Sequence, residues 1–360
     1  MTANLTTRLG QLTSSPAGGP YTGKNRIING NMAIDQRNAG ATVVPAVSAY
    51  TLDRWYLLLT QASKITIGQN YGGVTPPVGF SNYLGAKITT AHASGAGDYA
   101  TIYQAVEGFN IADLNWGTAN AKTVTLSAWV YSSVTGTFGG AFTVGGTRSY
   151  PFTYSIPVAN TWTYITITVA GDTGGSYNTT NGTGTIIVFS YGVGSTFSGT
   201  AGAWAGANYL SATGANDITN TLNATLYITG VQLEAGTIAT PYEFNQYQVQ
   251  LAQCQRYYYR VTANSTAVVT PFIGYVEAST SASLGGGQHP VTMRGDPTMV
   301  FSSVSFYSPI GTGAFSSIGA NRSSTTTLSV YVNLTGSVTI GTGCALYFSS
   351  GGYISLSAEL

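Results

Sequence analysis

Val124-Thr125-Leu126-Ser127-Ala128-Trp129-Val130-Tyr131 places Val, Leu, Ala and Val on one parity and Thr, Ser, Trp and Tyr on the other. Successive side chains of a β-strand point to opposite faces, so this period of two marks a half-buried strand. Ile165, Ile167 and Val169 repeat the pattern, with Trp162, Tyr164, Thr166 and Thr168 on the opposite parity. The run 186–191 is continuously apolar, as expected of a central strand. Residues 226–233 read as another strand, interrupted at Gly230, where a bulge fits. Turn-rich spacers at 171–175, 178–184 and 192–206 separate these runs. Many short strands at such spacing predict an all-β fold, a jelly roll or β-sandwich.

Composition narrows the function classes. The chain has 360 residues, of which only 7% are charged, with 46 Gly, 25 Tyr and a net charge of +1. Aromatic content of 12% at near-zero net charge argues for folding over disorder. Lys is absent after Lys122, and residues 173–216 carry no charge. A monomer so poor in charge should be poorly soluble, which favours burial between subunits. No basic cluster offers a nucleic-acid interface, and no apolar run is long enough to span a bilayer. Residues 1–20 lack the apolar core of a signal peptide, so the chain is expected to act where it is made or in a particle assembled there. Cys254 and Cys344 are too far apart in sequence for a disulfide framework or a zinc motif, and two buried thiols are expected. No cofactor is called for.

Residues 1–24 read as a polar attachment arm, with Pro16, Gly18, Gly19, Pro20 and Gly23 blocking regular structure. Residues 25–240 form the predicted sandwich. A helix is expected over 241–258, opened by Pro241, with Tyr247, Leu251 and Cys254 on one face at i, i+4 and i+7. That stripe, flanked by Gln246, Gln250 and Gln253, either bundles with copies of itself or packs on the sandwich. Residues 259–360 form a smaller predicted C-terminal β-sandwich, whose Gly/Ser-rich stretches at 280–289 and 307–324 read as loops.

Several blocks resemble phage fibre and prophage structural proteins, in that family's order. The opening is Asn25-Arg26-Ile27-Ile28-Asn29-Gly30-Asn31-Met32 with Asp35-Gln36-Arg37, followed by Tyr50-Thr51-Leu52-Asp53-Arg54-Trp55 and by Gln104 with Glu107-Gly108. Gly230-Val231-Gln232-Leu233-Glu234-Ala235-Gly236 and Ala239-Thr240-Pro241-Tyr242-Glu243 resemble the closing strand. Leu251-Ala252-Gln253-Cys254-Gln255-Arg256-Tyr257-Tyr258 is similar to the helix after it, and Pro290-Val291-Thr292-Met293-Arg294 with Pro297 to a fibre-head block. The resemblance implies a carbohydrate-binding-module-like jelly roll, a helix and a smaller β head, usually trimeric. Its implied partners are other virion proteins, of tail or capsid, and host surface polysaccharide. The short arm departs from tail fibres that carry a long adaptor domain, which leaves a head-fibre or capsid cement role without host binding as the alternative.

An enzyme is not expected. Glycan cleavage needs two carboxylates flanking a bond, and Glu107 with Asp113, or Glu234 with Glu243, sit at strand ends and turns. His92 and His289 are isolated and read as surface or loop residues. Asp172 and Asp217 lie near Gly-rich turns, where lone turn aspartates are commoner than a calcium site, and no metal is expected. Arg294-Gly295-Asp296 reads as a coincidental turn. The candidate glycan contacts are aromatic, because a ring face beside hydroxyls and amides matches a sugar's CH face and hydroxyl rim. They are Trp129, Tyr131, Trp162 and Tyr164 on the Thr/Ser parity, Trp204 in its Gly/Ala loop, and Tyr307, Phe315 and Arg322 in the C-terminal stretch. Filling a second layer or capping a sheet edge is the competing role for these rings.

Overall fold

The computed structural model describes residues 23–263, 269–309, 315–319 and 323–360. All but the last two residues of the arm at 1–24 therefore lie outside the described residues, as does Arg322. The chain divides into two compact units, one running to Tyr247 and including Leu360, the other Gln248–Glu359.

The first unit contains β1 (Ala49–Leu52), β2 (Trp55–Leu59), β3 (Ile65–Gln69), β4 (Leu84–Ile88), β5 (Tyr99–Glu107), β6 (Val124–Ser132) and β7 (Gly136–Val144). It continues with β8 (Arg148–Ile156), β9 (Thr163–Val169), β10 (Thr183–Val193), β11 (Ser198–Gly199), β12 (Ser211–Ala212) and β13 (Thr225–Ala235). Two antiparallel sheets form, in the orders β1-β2-β5-β10-β7-β8 and β3-β4-β13-β6-β9, while β11 and β12 pair in parallel by themselves. The chain crosses repeatedly from one sheet to the other, as in a jelly roll, and a β-sandwich results. One core is shared by Leu57, Ile102, Phe142, Phe152 and Phe189 of the six-stranded sheet and Ile67, Ala86, Leu126, Val130, Ile167 and Leu226 of the five-stranded sheet. The period of two in β6 and β9 is thereby explained: Val124, Leu126, Ala128 and Val130 face this core, and Trp129 and Tyr131 face away.

The sequence blocks at 25–37, 50–55, 104–108 and 230–243 are the joints of this sandwich. Residues 25–30 run beside β13, with Arg26 N donating to Leu233 O and Val231 N to Gly30 O, both at 2.9 Å. Trp55 Nε1 donates to Asn29 O at 3.0 Å, and Gln104 closes a two-way amide clasp on Ile28 at 2.8 Å each way. Asp53, fully buried, accepts from both the backbone and the side chain of Gln36 at 2.7 Å. Glu234 takes Thr240 N at 2.8 Å and Thr240 Oγ1 at 2.7 Å, while Glu243 Oε2 accepts from Asn25 N at 2.8 Å. A buried polar group without such partners would cost more than a neutral hydrogen bond returns, so removing one member of a clasp should cost more than the bond it makes.

These clasps also correct the expected helix. Pro241 does not open it; α1 runs only over Tyr247–Gln255. Residues 240–243 are held against β13, where Gln232 Oε1 accepts Glu243 N at 2.8 Å and Lys24 Nζ donates to Pro241 O at 2.9 Å. Their backbone groups are spent there and are not free for a helical ladder. Nor is the stripe as expected: Cys254 is fully buried and Leu251 half-buried, but Tyr247 is 58% exposed and the other buried position is Gln250.

The second unit is a seven-stranded antiparallel sheet rolled around its own core, which includes Phe272, Leu284, Phe306, Val332, Leu346 and Ile354. Its strands are β14 (Tyr258–Thr262), β15 (Val269–Ala278), β16 (Ser281–Gln288), β17 (Thr298–Tyr307), β18 (Phe315–Gly319), β19 (Thr327–Leu334) and the long β20 (Gly343–Ser357). The stretch at 280–289 is therefore not a loop. Ala282 and Leu284 are buried and β16 pairs with β15 and β19, so long-range pairing overrides its Gly/Ser content. His289 is likewise buried, not a surface residue. Its Nε2 lies 2.9 Å from Ser324 O, to which it donates, and its Nδ1 lies 2.7 Å from the Tyr259 hydroxyl.

Candidate functional site

The outer face of the five-stranded sheet gathers four of the aromatic candidates. Register places Trp129 opposite Tyr164 across β6 and β9, and Tyr131 opposite Tyr227 across β6 and β13. Trp162, just ahead of β9, shares the parity of Tyr164 and brings its ring to 5.4 Å from Tyr131. The Trp129 and Tyr164 rings lie 5.2 Å apart at 51°. Tyr164 is 44% exposed, and Trp129, Tyr131 and Trp162 are half-buried. Side chains two apart on one strand face lie side by side, so the four rings make a continuous strip.

A second tier of rings holds the first. Tyr227 stacks on Tyr131 at 5.1 Å and 7°, and Tyr83 meets Tyr227 at 5.2 Å and Trp162 at 5.6 Å. Both Tyr83 and Tyr227 are buried, and desolvation pushes their phenols up, so they stay neutral donors. Trp162 Nε1 donates to Thr75 O at 2.8 Å, and Tyr83 OH donates to Asn70 O at 3.1 Å while accepting Val74 N at 3.0 Å. None of the strip's rings or these partners carries a charge. The strip is a rigid aromatic surface bordered by hydroxyls and amides, among them Thr166 and Asn160. Such a surface can stack on apolar ring faces and satisfy a hydroxyl rim at little ordering cost.

Gly230 anchors one end. At φ +60°, it sits where β13 shifts register against β6, between Thr229 and Gln232. A Cβ there would lie 2.6 Å from Phe80 Cζ and 3.2 Å from Trp129 Cδ1. Phe80 in turn meets Tyr242 and Phe244 at 5.2 and 5.1 Å. The bulge flips the parity of β13, so that Val231 and Leu233 reach the core after Leu226 and Ile228 have done so.

The remaining candidates are dispersed. Trp204 is a plug within the fold: its Nε1 donates to Ala170 O at 2.8 Å, and its ring lies 5.4 Å from both Trp116 and Tyr150. Phe315 is half-buried against the second core, whereas Tyr307 is 49% exposed on β17. Asp172 and Asp217 are engaged internally, Asp172 by Arg148 and Tyr177 and Asp217 by Thr219. Sequence reading missed Tyr83, Tyr227 and Phe80. Tyr227 was visible, lying between core-facing Leu226 and Ile228; Tyr83 and Phe80 come from an irregular stretch with no periodic signal.

No family model and no curated protein matches the chain. Among solved structures, it is similar to the enzymatically active domain of bacteriophage CBA120 tailspike protein 4, with 15% identity over 59% of this chain and a TM-score of 0.33. The match spans only 22% of that tailspike chain. A putative sugar-binding protein from Bacteroides thetaiotaomicron aligns over 59% of this chain and 100% of its own, at 11% identity and a TM-score of 0.35. A family 11 carbohydrate-binding module of a cellulosomal cellulase from Clostridium thermocellum aligns over 54% of this chain and 98% of its own, at 12% identity and a TM-score of 0.27.

Proposed function

We propose that this protein is a structural component of a bacteriophage particle, a homotrimeric fibre or fibre-like appendage that contacts host surface polysaccharide. The observation that carries the glycan contact is the strip of Trp129, Tyr131, Trp162 and Tyr164, uncharged and held in place from behind. The order of the fibre-like sequence blocks supports the virion role. Each strip is a weak site, and three per trimer with many trimers per particle raise attachment by avidity. The proposed role needs no hydrolysis, and Glu234 and Glu243 are engaged in the joint between β13 and residues 25 and 240.

Particles carrying Trp129→Ala with Tyr164→Ala should adsorb markedly more slowly, each site losing about tenfold for ~1.4 kcal/mol of stacking. Their capsids should stay intact on heating, and no reducing ends should be released from host polysaccharide by either form. Unchanged adsorption, with capsids that burst on heating once the protein is deleted, would instead establish a capsid cement.

The assembly is tested separately. Light scattering of the purified protein should give three times the chain mass. Leu251→Asp should lower it by placing a carboxylate on a half-buried helix position. Cys254 is enclosed within its own protomer and takes no part, while Tyr247 and Leu251 stay available. A stable monomer at micromolar concentration overturns this.

A further inference from the structure

The six-stranded sheet buries apolar side chains on both faces. In β10, Ile187 and Phe189 enter the sandwich core, yet Val188, on the opposite face, is also fully buried. Leu58 of β2 and Tyr99 and Tyr103 of β5 share that outer face, which is half roofed by residues 194–213. Between roof and sheet lies a cleft of about 290 Å³, lined by Leu58, Tyr99, Tyr103, Val188, Phe197 and Asn208 among others.

We infer that this cleft is a second ligand site, which takes the neutral terminal residue of a glycan, one or two pyranose rings deep. The inference extends the glycan-binding reading to a surface distinct from the aromatic strip, on the other face of the sandwich.

Size and chemistry select the occupant. Ligand pockets begin at roughly 300 Å³, so this cleft suits a chain end and not a long chain running through it. No Asp, Glu, Lys or Arg lines it. A carboxylate pressed on this floor would lose hydration with no cation to replace it, which excludes acidic sugars. The aromatic walls are fixed. Tyr99 meets Phe197 edge-on at 5.2 Å, and Tyr103 lies 5.0 Å from Tyr56.

A polar group without a partner argues against a purely apolar ligand. Asn208 is held by its neighbours, since Ser149 Oγ donates to Ala207 O at 2.7 Å and accepts Tyr209 N at 3.1 Å. Its own amide has no hydrogen-bond partner among the described residues. A half-buried amide left without a protein partner beside aromatic walls offers a donor and an acceptor to sugar hydroxyls.

The test titrates the intact protein, by ligand-observed NMR, with methyl glycosides of neutral hexoses and N-acetylhexosamines and with glucuronic and N-acetylneuraminic acids. At least one neutral glycoside should bind saturably and both acids should not. Tyr103→Ala, and Leu58→Trp to fill the cleft, should each weaken, by about tenfold or more, the binding that remains once Trp129→Ala with Tyr164→Ala has removed the strip's share. Asn208→Ala, at the rim, serves where a lining variant fails to fold and should weaken binding likewise. The inference is overturned if no neutral glycoside binds, if the acids bind equally, or if folded cleft variants bind as wild type does. Loss only in the strip variant also overturns it. Adsorption of particles reads the strip independently, so a failed cleft leaves that reading standing, and a failed strip leaves the cleft.

Discussion

Gly230→Ala should destabilise the sandwich by about 3 kcal/mol or more and lower its unfolding midpoint by roughly 10 °C. Two costs combine. Alanine at φ +60° is held in the left-handed region, and its Cβ must displace the Phe80 ring from 2.6 Å. Phe80 cannot retreat freely, being packed on Tyr242 and Phe244. The displacement reaches Trp129, so near-ultraviolet dichroism of the strip should change along with the midpoint. Gly145→Ala separates the costs: φ is +56° but nothing lies within 4 Å, so only the backbone cost of about 1 kcal/mol should appear. Equal losses at the two positions would show that the ring contact at Gly230 is not constraining.

Asp172→Ala should cost about 3 kcal/mol, the lower part of the range for breaking a buried ion pair, because Arg148 keeps a quarter of its side chain in solvent. Asp172 itself is 1% exposed. It holds the Arg148 guanidinium through two contacts, accepts Tyr177 OH at 2.6 Å and Gly174 N at 3.1 Å, and gives its backbone carbonyl to Gly117 N at 2.7 Å. Arg148 and Tyr177 in turn border the Trp116–Trp204 pair. Burial by itself raises the Asp172 carboxyl; the bonds from Arg148, Tyr177 and Gly174 outweigh it and hold the group below the ordinary value of 3.8. A carboxyl lowered by folding contributes stability that is complete above its ordinary value and is lost as pH falls through the lower folded value. Thermal melts of the wild type should therefore drop in acid below about pH 4, and Asp172→Asn should flatten that limb while lying lower at neutral pH. Parallel acid limbs in the two proteins would place the pH dependence elsewhere.

The all-β fold and the aromatic strip were legible because strand parity is a local property. Two residues of spacing decide which side of a sheet a ring takes, so Val124 to Tyr131 alone separated core from outer face. The bulge at Gly230 was legible for the same reason, as a break in that period. Which surface covers the other side of a sheet is not local. Trp204 looks exposed in its Gly/Ala loop, but Ala170, Trp116 and Tyr150 close around it from distant segments. Residues 281–288 became a strand because β15 and β19 supply partners, and 241–246 lost their helix because Gln232 and Lys24 claim the backbone groups. The continuous apolar run at 186–191 announced a central strand but not that its second face would line a cleft. Sequence periodicity thus determined the sidedness of each strand, whereas tertiary structure decided what each side meets, because hydrogen-bond partners and coverage come from segments far along the chain.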